Sequence, residues 1–184
     1  MIYDWKKIVR FSMPLLTICI IIEIFAGNIL QNSEDQLLLF PIFLISIPVI
    51  NGVGGNIGSV LGARLASGLH VGNINLDIKD KKMHENLITS LFIGFITYLI
   101  LAIIIYLIST FSSLIVINPM KFITIILCTG VLLVFAVSIF SILTAFWSFK
   151  KGLDPDDMVA PVVTTVGDTL GILFLFMFIG VVGI

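Results

Sequence analysis

Five apolar runs, each long enough to cross a lipid bilayer, constrain the fold of this 184-residue chain more than any other feature. They cover approximately residues 11–30, 37–66, 86–108, 122–149 and 158–183. A helix needs about 20 apolar residues to span a hydrocarbon core roughly 30 Å thick. Because a helix satisfies its backbone hydrogen bonds within one segment, the runs predict an all-α membrane protein with five transmembrane helices.

Composition excludes a water-soluble fold. The chain is 59% hydrophobic and 11% charged, whereas about a quarter of a soluble domain is charged. A soluble domain of this size could not bury so much apolar surface. The net charge of −1 gives no field for nucleic acid. Since the runs are joined by short connections, we predict a single transmembrane domain over residues 1–184, in the cell membrane as a multi-pass protein.

The first run could be mistaken for a signal peptide, because Lys6, Lys7 and Arg10 precede it. It carries Glu23 and lacks a clear small-residue cleavage site, so we interpret it as a retained helix. The two cysteines, Cys19 and Cys128, each lie within a long apolar run. They are expected to be small core residues and not a disulfide or a metal pair.

The basic residues predict the orientation of the helices. With five spans, nine of the ten Lys and Arg residues fall on one side of the membrane, namely Lys6, Lys7, Arg10, Arg64, Lys79, Lys81, Lys82, Lys150 and Lys151. Only Lys121 falls on the other side. The positive-inside rule therefore places the N-terminus in the cytoplasm and the C-terminus outside.

Asp168 is the most informative polar residue. It lies roughly 15–18 Å along the fifth helix at 1.5 Å per residue, which is near the bilayer midplane. A carboxylate at that depth costs several kcal/mol unless it faces protein, water or a cation. The alternative to a cation site is a protonated Asp168 that hydrogen-bonds to a neighbouring helix.

The spacing of residues around Asp168 favours the cation site. Positions three and four residues apart share one helix face, and here that face carries Asp154, Asp157, Pro161, Thr164 and Asp168, with Thr165 beside it. Carboxylate, hydroxyl and carbonyl oxygens are hard ligands that suit Mg²⁺ or Ca²⁺. For Asp154 and Asp157 a simpler alternative exists, since acids are favoured at a helix N-terminus.

A second cluster occupies the second helix. Gly54, Gly58 and Gly62 are four residues apart, a spacing that lets two membrane helices approach closely. Packing does not explain Asn51 and Asn56, whose amides need partners in hydrocarbon. The run lacks the Gly-Lys-Ser ending of a phosphate-binding loop.

The remaining polar residues give weaker signals. Glu23 could line an outer vestibule or hydrogen-bond to a neighbour. His70 and His84 have no acid or Cys at zinc-ligand spacing and are expected on the surface. No arrangement of nucleophile, base and acid is suggested, so we do not expect an enzyme.

Two stretches resemble signatures of the MgtE and solute carrier 41 families of magnesium transporters. Residues 48–59 read PVINGVGGNIGS and are followed by RLASG at 64–68 and by Gly72, as in the second helix of those families. Residues 153–155 read LDP and residues 161–168 read PVVTTVGD, as in their fifth helix. The usual glutamine after the glycine run is replaced near Val60, a departure that affects the selectivity expected of the second helix.

The resemblance implies an MgtE-type pore domain that pairs with a second copy of itself. Asp168 would bind hydrated Mg²⁺ near the pore centre, Asp154 would lie near the cytoplasmic mouth, and Asn56 would face the pore. From the helix face itself we also expect Asp157 to attract cations at that mouth and Thr164 or Thr165 to help orient the hydration shell. The chain resembles one half of the fused eukaryotic transporters. We expect residues 1–184 to form the transmembrane domain only, without a magnesium-sensing domain.

The favoured function is a divalent-cation channel or transporter that moves Mg²⁺ through a homodimeric pore in the lipid bilayer. An alternative is a proton- or sodium-coupled antiporter that uses Asp168 or Glu23 as the coupling carboxylate. A third is a membrane subunit whose glycine face binds a partner. The acids on the fifth helix argue against the third, because a docking face does not need them.

The topology can be tested by cysteine labelling. In a background with Cys19 and Cys128 replaced by Ala, single Ser33→Cys and Lys81→Cys variants should react with an impermeant reagent from opposite sides of the membrane. Labelling of both positions from the same side would exclude the predicted arrangement.

Overall fold

A computed structural model describes residues 5–111 and 117–183. Their helices are α1 (Trp5–Asn32), α2 (Glu34–Leu39), α3 (Pro41–Val71), α4 (Lys81–Phe111), α5 (Pro119–Lys150) and α6 (Pro155–Val182), and the described ranges contain no strand. All except α2 are long and apolar enough to cross a membrane. This confirms the all-α fold with five spanning helices, while the side on which each terminus lies stays a prediction.

The second predicted run combines two elements of the structure. The chain leaves helical geometry at Phe40, where φ is −134° and ψ is 79°, and α3 begins at Pro41. A proline disfavours helical geometry in the residue before it and fits the first position of a helix. The same helix extends to Val71, beyond the predicted end at 66, and Gly72 closes it with a left-handed φ of 75°.

The most buried helix is α5, and the least buried is α1. In the most apolar 18-residue stretch of each helix, 50% of the residues of α5 are buried inside the chain, compared with 6% for α1. Tyr98 of α4 is fully buried and donates its hydroxyl to the carbonyl of Ile50 in α3, at 2.6 Å. Its ring lies so close to Gly130 of α5 that a Cβ there would overlap it. The helices α3, α4 and α5 therefore form one packed unit.

The predicted close packing of the glycine face of α3 is confirmed. Gly58 and Gly62 lie against Val163 and Val159 of α6, so that a Cβ at either glycine would overlap the facing valine. A hydrogen bond of 2.9 Å from Ser141 of α5 to the carbonyl of Gly58 adds to this contact. The chain's own helices thus fill this glycine face.

The connection between α3 and α4 is ordered by Asp80. Its carboxylate accepts hydrogen bonds of 3.0 Å from the backbone N–H groups of Asn75 and Met83. These bonds hold the pKa of Asp80 below its usual value. Because the folded pKa is lower than the unfolded one, this stabilisation is complete above the unfolded pKa and is lost as pH falls through the folded pKa.

The glycine contact can be tested with Gly58→Ala. The added methyl group would lie 3.1 Å from the Cβ of Val137 and closer still to Val163, and such overpacking typically costs about 1–3 kcal/mol. Thermal unfolding in detergent should show a lower midpoint for this variant. Gly27→Ala is the matched control, since no atom lies within 4 Å of its added methyl group. Equal midpoints for both variants would contradict the packing described.

Candidate cation pathway

One side of α6 is left open between α1 and α3. Pro161 and Thr165 face α1, whereas Val159 and Val163 face α3. Between these two contacts lies an open strip, which we define as Asp157, Thr164 and Asp168. Asp157 and Thr164 are exposed and Asp168 is partly exposed. The structure therefore brings three of the predicted site residues onto one accessible surface.

The wall on one side of the open strip is α3. A Cβ at Gly55 would lie 3.4 Å from the Cγ2 of Thr164, and a Cβ at Gly167 would lie 3.3 Å from the backbone nitrogen of Gly55. The backbones of the two helices approach each other closely at this level. Asn56, the next residue of α3, has an exposed side chain.

Asn51 connects this wall to the predicted central acid. Its side-chain nitrogen donates a hydrogen bond of 3.1 Å to the backbone carbonyl of Asp168, and the same amide approaches the Asp168 carboxylate. Its Oδ1 atom is buried, without a hydrogen-bond partner among the described residues, and lies where a Cβ on Gly171 would be. The sequence indicated that the Asn51 amide needs a partner, but Asn51 was not among the predicted ion ligands.

The two threonines have different surroundings. The Thr164 hydroxyl donates back to the carbonyls of Ala160 and Pro161, at 3.0 and 3.1 Å. Thr165 is 3% exposed and donates to the Oε1 atom of Glu23 at 2.9 Å. Both hydroxyl protons are therefore used, while the oxygen lone pairs remain as acceptors. Thr165 lies behind the open strip, against α1.

Glu23 forms part of the α1 wall. Of its two predicted roles, the structure shows the hydrogen bond to a neighbour. Cys19, one turn earlier, directs its sulfur to the carbonyl of Pro161 at 3.7 Å. Glu23 thus lies near the level of Asp168, which follows Thr165 by three residues on α6. Cys19, Glu23 and Ala26 share one helix face by their spacing, but the sequence does not show that this face turns toward α6.

The first turn of α6 carries the other predicted acids. Asp154 precedes the helix and accepts a hydrogen bond from the backbone N–H of Asp156 at 3.1 Å, as an N-terminal cap. Its Oδ1 atom is also 3.7 Å from Nε2 of His70, whose ring packs edge-on against Phe149. His70 is exposed, as predicted. Asp154 thus caps the N-terminus of α6.

A single chain does not assemble a complete cage of ligands in the part that the structure describes. No group of three or more His, Cys, Asp or Glu side chains there is placed to hold a metal ion. What the open strip provides is one central carboxylate, a hydroxyl oxygen and nearby amides. Such an arrangement suits a hydrated cation more than a fully dehydrated one, because few direct ligands are present.

Comparison with known proteins identifies the class. Residues 47–178 match the MgtE family model, whose description is divalent cation transporter. The chain therefore belongs to the MgtE family, a family of membrane transporters, and the predicted resemblance is confirmed. Mouse solute carrier family 41 member 3 is 27% identical over 178 residues, which cover 90% of this chain and 36% of the mouse protein. The chain thus spans about a third of the length of that relative.

Proposed function

We propose that this chain is a single transport domain that moves Mg²⁺ across the cell membrane, with Asp168 as the central ion site. The observation that carries the proposal is the position of Asp168 in the middle of α6, partly exposed on the open strip between α1 and α3. Membership of a family of divalent cation transporters supports the coarser part of the proposal, the transport of a divalent cation.

The chemistry of Mg²⁺ fits the open strip. This ion gives up its water ligands reluctantly and is commonly bound through one or two carboxylates with several waters retained. Asp168 supplies the carboxylate, and the oxygens of Thr164 and Asn56, which are both exposed, help to orient the hydration shell. Of the two threonines proposed for this role, Thr165 is held behind the open strip against α1. A cation beside Asp168 also offsets the cost of a carboxylate within the membrane.

Asp154 and Asp157 lie where cations would enter on the proposed cytoplasmic side. Their negative field raises the local concentration of cations and is screened over a Debye length of about 8 Å at physiological salt. With an inside-negative potential of ~100 mV, a divalent cation is driven inward by about 4–5 kcal/mol.

A homodimer would complete the pathway. The open strip of one chain has one central carboxylate, and a two-fold axis alongside it would bring two copies of Asp168 near each other. The seam would not use the Gly58 face of α3, because α5 and α6 of the same chain already fill it. Mg²⁺ between two carboxylates would remove their mutual repulsion.

The position of Glu23 near the level of Asp168 favours one alternative, a proton- or sodium-coupled antiporter. Ionisable residues within a membrane are typical of ion pathways and proton relays. Mg²⁺ flux in sealed liposomes with and without an imposed proton or sodium gradient separates the two mechanisms. Flux that needs neither gradient would exclude the antiporter.

The central site is tested by Asp168→Asn, which keeps the size of the side chain and removes its charge. Mg²⁺ uptake into liposomes should fall by at least about tenfold relative to wild type at matched protein incorporation. Folding should be retained, since a neutral amide costs less to bury than a carboxylate. Asp35→Asn is the control, because Asp35 is an exposed residue of α2, and this variant should transport normally. Equal uptake by Asp168→Asn and wild type would show that Asp168 is structural.

The same variant tests the homodimer. When tagged wild-type and Asp168→Asn chains are co-expressed in equal amounts and purified together, a shared pore leaves about one quarter of the activity, while independent monomers leave about half. Activity proportional to the wild-type fraction would contradict a pathway shared by two chains.

A further inference from the structure

The packing of α1 is confined to one narrow face. Among the described residues, α1 contacts only α2 and α6. Its more buried positions recur every three or four residues, at Ile8, Ser12, Leu15, Cys19 and Ala26, with the other faces largely exposed. Glu23 continues this face at the level of Thr165 and places a carboxylate against α6, beside the open strip.

Using a carboxylate to hold α1 against α6 carries a high free-energy cost within the membrane. The hydrogen bond from Thr165 could be accepted by a neutral amide or hydroxyl, which costs far less in the membrane than an ionised acid. Glu23 also adds a second acid near the level of Asp168, where like charges disfavour each other's ionised form. Anchoring alone therefore does not account for a charged side chain at position 23, whereas a cation attracted to both acids does.

A buried amide on the opposite wall is bonded at the same level. Asn51 is 7% exposed, and its amide nitrogen donates to the backbone carbonyl of Asp168. Its Oδ1 atom has no hydrogen-bond partner among the described residues and packs against Gly171, one turn further along α6. Side chains of α1 and α3 are therefore both hydrogen-bonded to α6 at the level of Asp168.

We propose that Glu23 determines the preference of this pathway for divalent cations, as a second acid per chain that acts with Asp168. The inference rests on the proposed function, in which Asp168 lies in the cation pathway. Glu23 also positions Thr165, because accepting its hydroxyl proton directs that oxygen's lone pairs away from α1.

The preference follows from charge. The attraction between a fixed negative charge and a cation is proportional to the cation's charge, so each carboxylate stabilises Mg²⁺ twice as much as Na⁺ at the same distance. A pathway with Asp168 alone would attract both ions, and the additional charge of Glu23 widens the difference between them. In a dimer, four acids would act at this level instead of two.

The test compares variants that separate the charge from the hydrogen bond. Glu23→Gln removes the charge but retains an oxygen that accepts from Thr165, whereas Thr165→Val removes the hydrogen bond and leaves the charge. Glu34→Gln, an exposed acid of α2, is the control. Each variant is reconstituted in liposomes, and Mg²⁺ flux is measured over a range of competing Na⁺ concentrations, with the thermal midpoint recorded in detergent.

We expect Glu23→Gln to reduce the preference for Mg²⁺ over Na⁺ by roughly tenfold, with a thermal midpoint close to wild type. Thr165→Val should change the preference less. Glu23→Asp, which keeps the charge on a shorter side chain, should retain most of the preference for Mg²⁺ over Na⁺. It also tests the role of the charge if Glu23→Gln does not fold. An unchanged preference in Glu23→Gln, or an equal loss in Glu23→Asp, would overturn the inference.

These outcomes remain distinct from failure of the proposed function. If Asp168→Asn transports Mg²⁺ as wild type does, the proposed function is wrong regardless of Glu23. If Asp168→Asn is inactive while Glu23→Gln keeps both its flux and its ion preference, only the role of Glu23 is wrong.

Discussion

In hydrocarbon, exclusion from water does not hold helices together, so α3 and α6 depend on close van der Waals contact between their surfaces. Gly55 and Gly167 let the two backbones meet, and Gly58 and Gly62 receive the valines of α6. This contact sets the height and rotation of α6 relative to α3. It therefore determines that Asp168 lies beside Asn51 and that Thr164 stays at the edge of the interface.

Polar side chains within the membrane are satisfied in two ways. Some donate within their own helix, as Thr17 does to the carbonyl four residues earlier. Others bond to a neighbouring helix: Tyr98 and Ser141 donate to carbonyls of α3, and Asn51 and Thr165 bond to groups on α6 and α1. Polar contacts between helices order their relative positions, and two of these four lie at the level of the proposed ion site.

Much of the architecture could be predicted because its causes are local. Apolar length predicts the five spans, and helical spacing predicts that Asp157, Thr164 and Asp168 share a face of α6. The break at Phe40 also has a local cause, Pro41, yet the apolar run continues through it and conceals it. A hydrophobic run alone cannot show where one helix ends and the next begins.

The contacts of Glu23 and Asn51 could not be predicted in the same way. In a soluble protein the apolar face of a helix identifies the side that packs, but in a membrane lipid-facing and core-facing residues are equally apolar. The rotation of α1 about its own axis is thus undetermined by hydropathy. The sequence indicated that both Asn51 and Asn56 need partners, and the family resemblance favoured Asn56 as the pore residue. Only the packed structure places the Asn51 amide against Asp168.

Because α1 is attached at the periphery, the packing of the other helices is separate from the charge that α1 adds beside the open strip. The four helices α3 to α6 pack on one another, and the family match, which starts at residue 47, lies within them. Substitutions on α1 can therefore alter the charge and size of the side chains on one side of the open strip without repacking those helices. Ion preference could diverge among related chains through α1, while the helices that carry Asp168 keep the same packing.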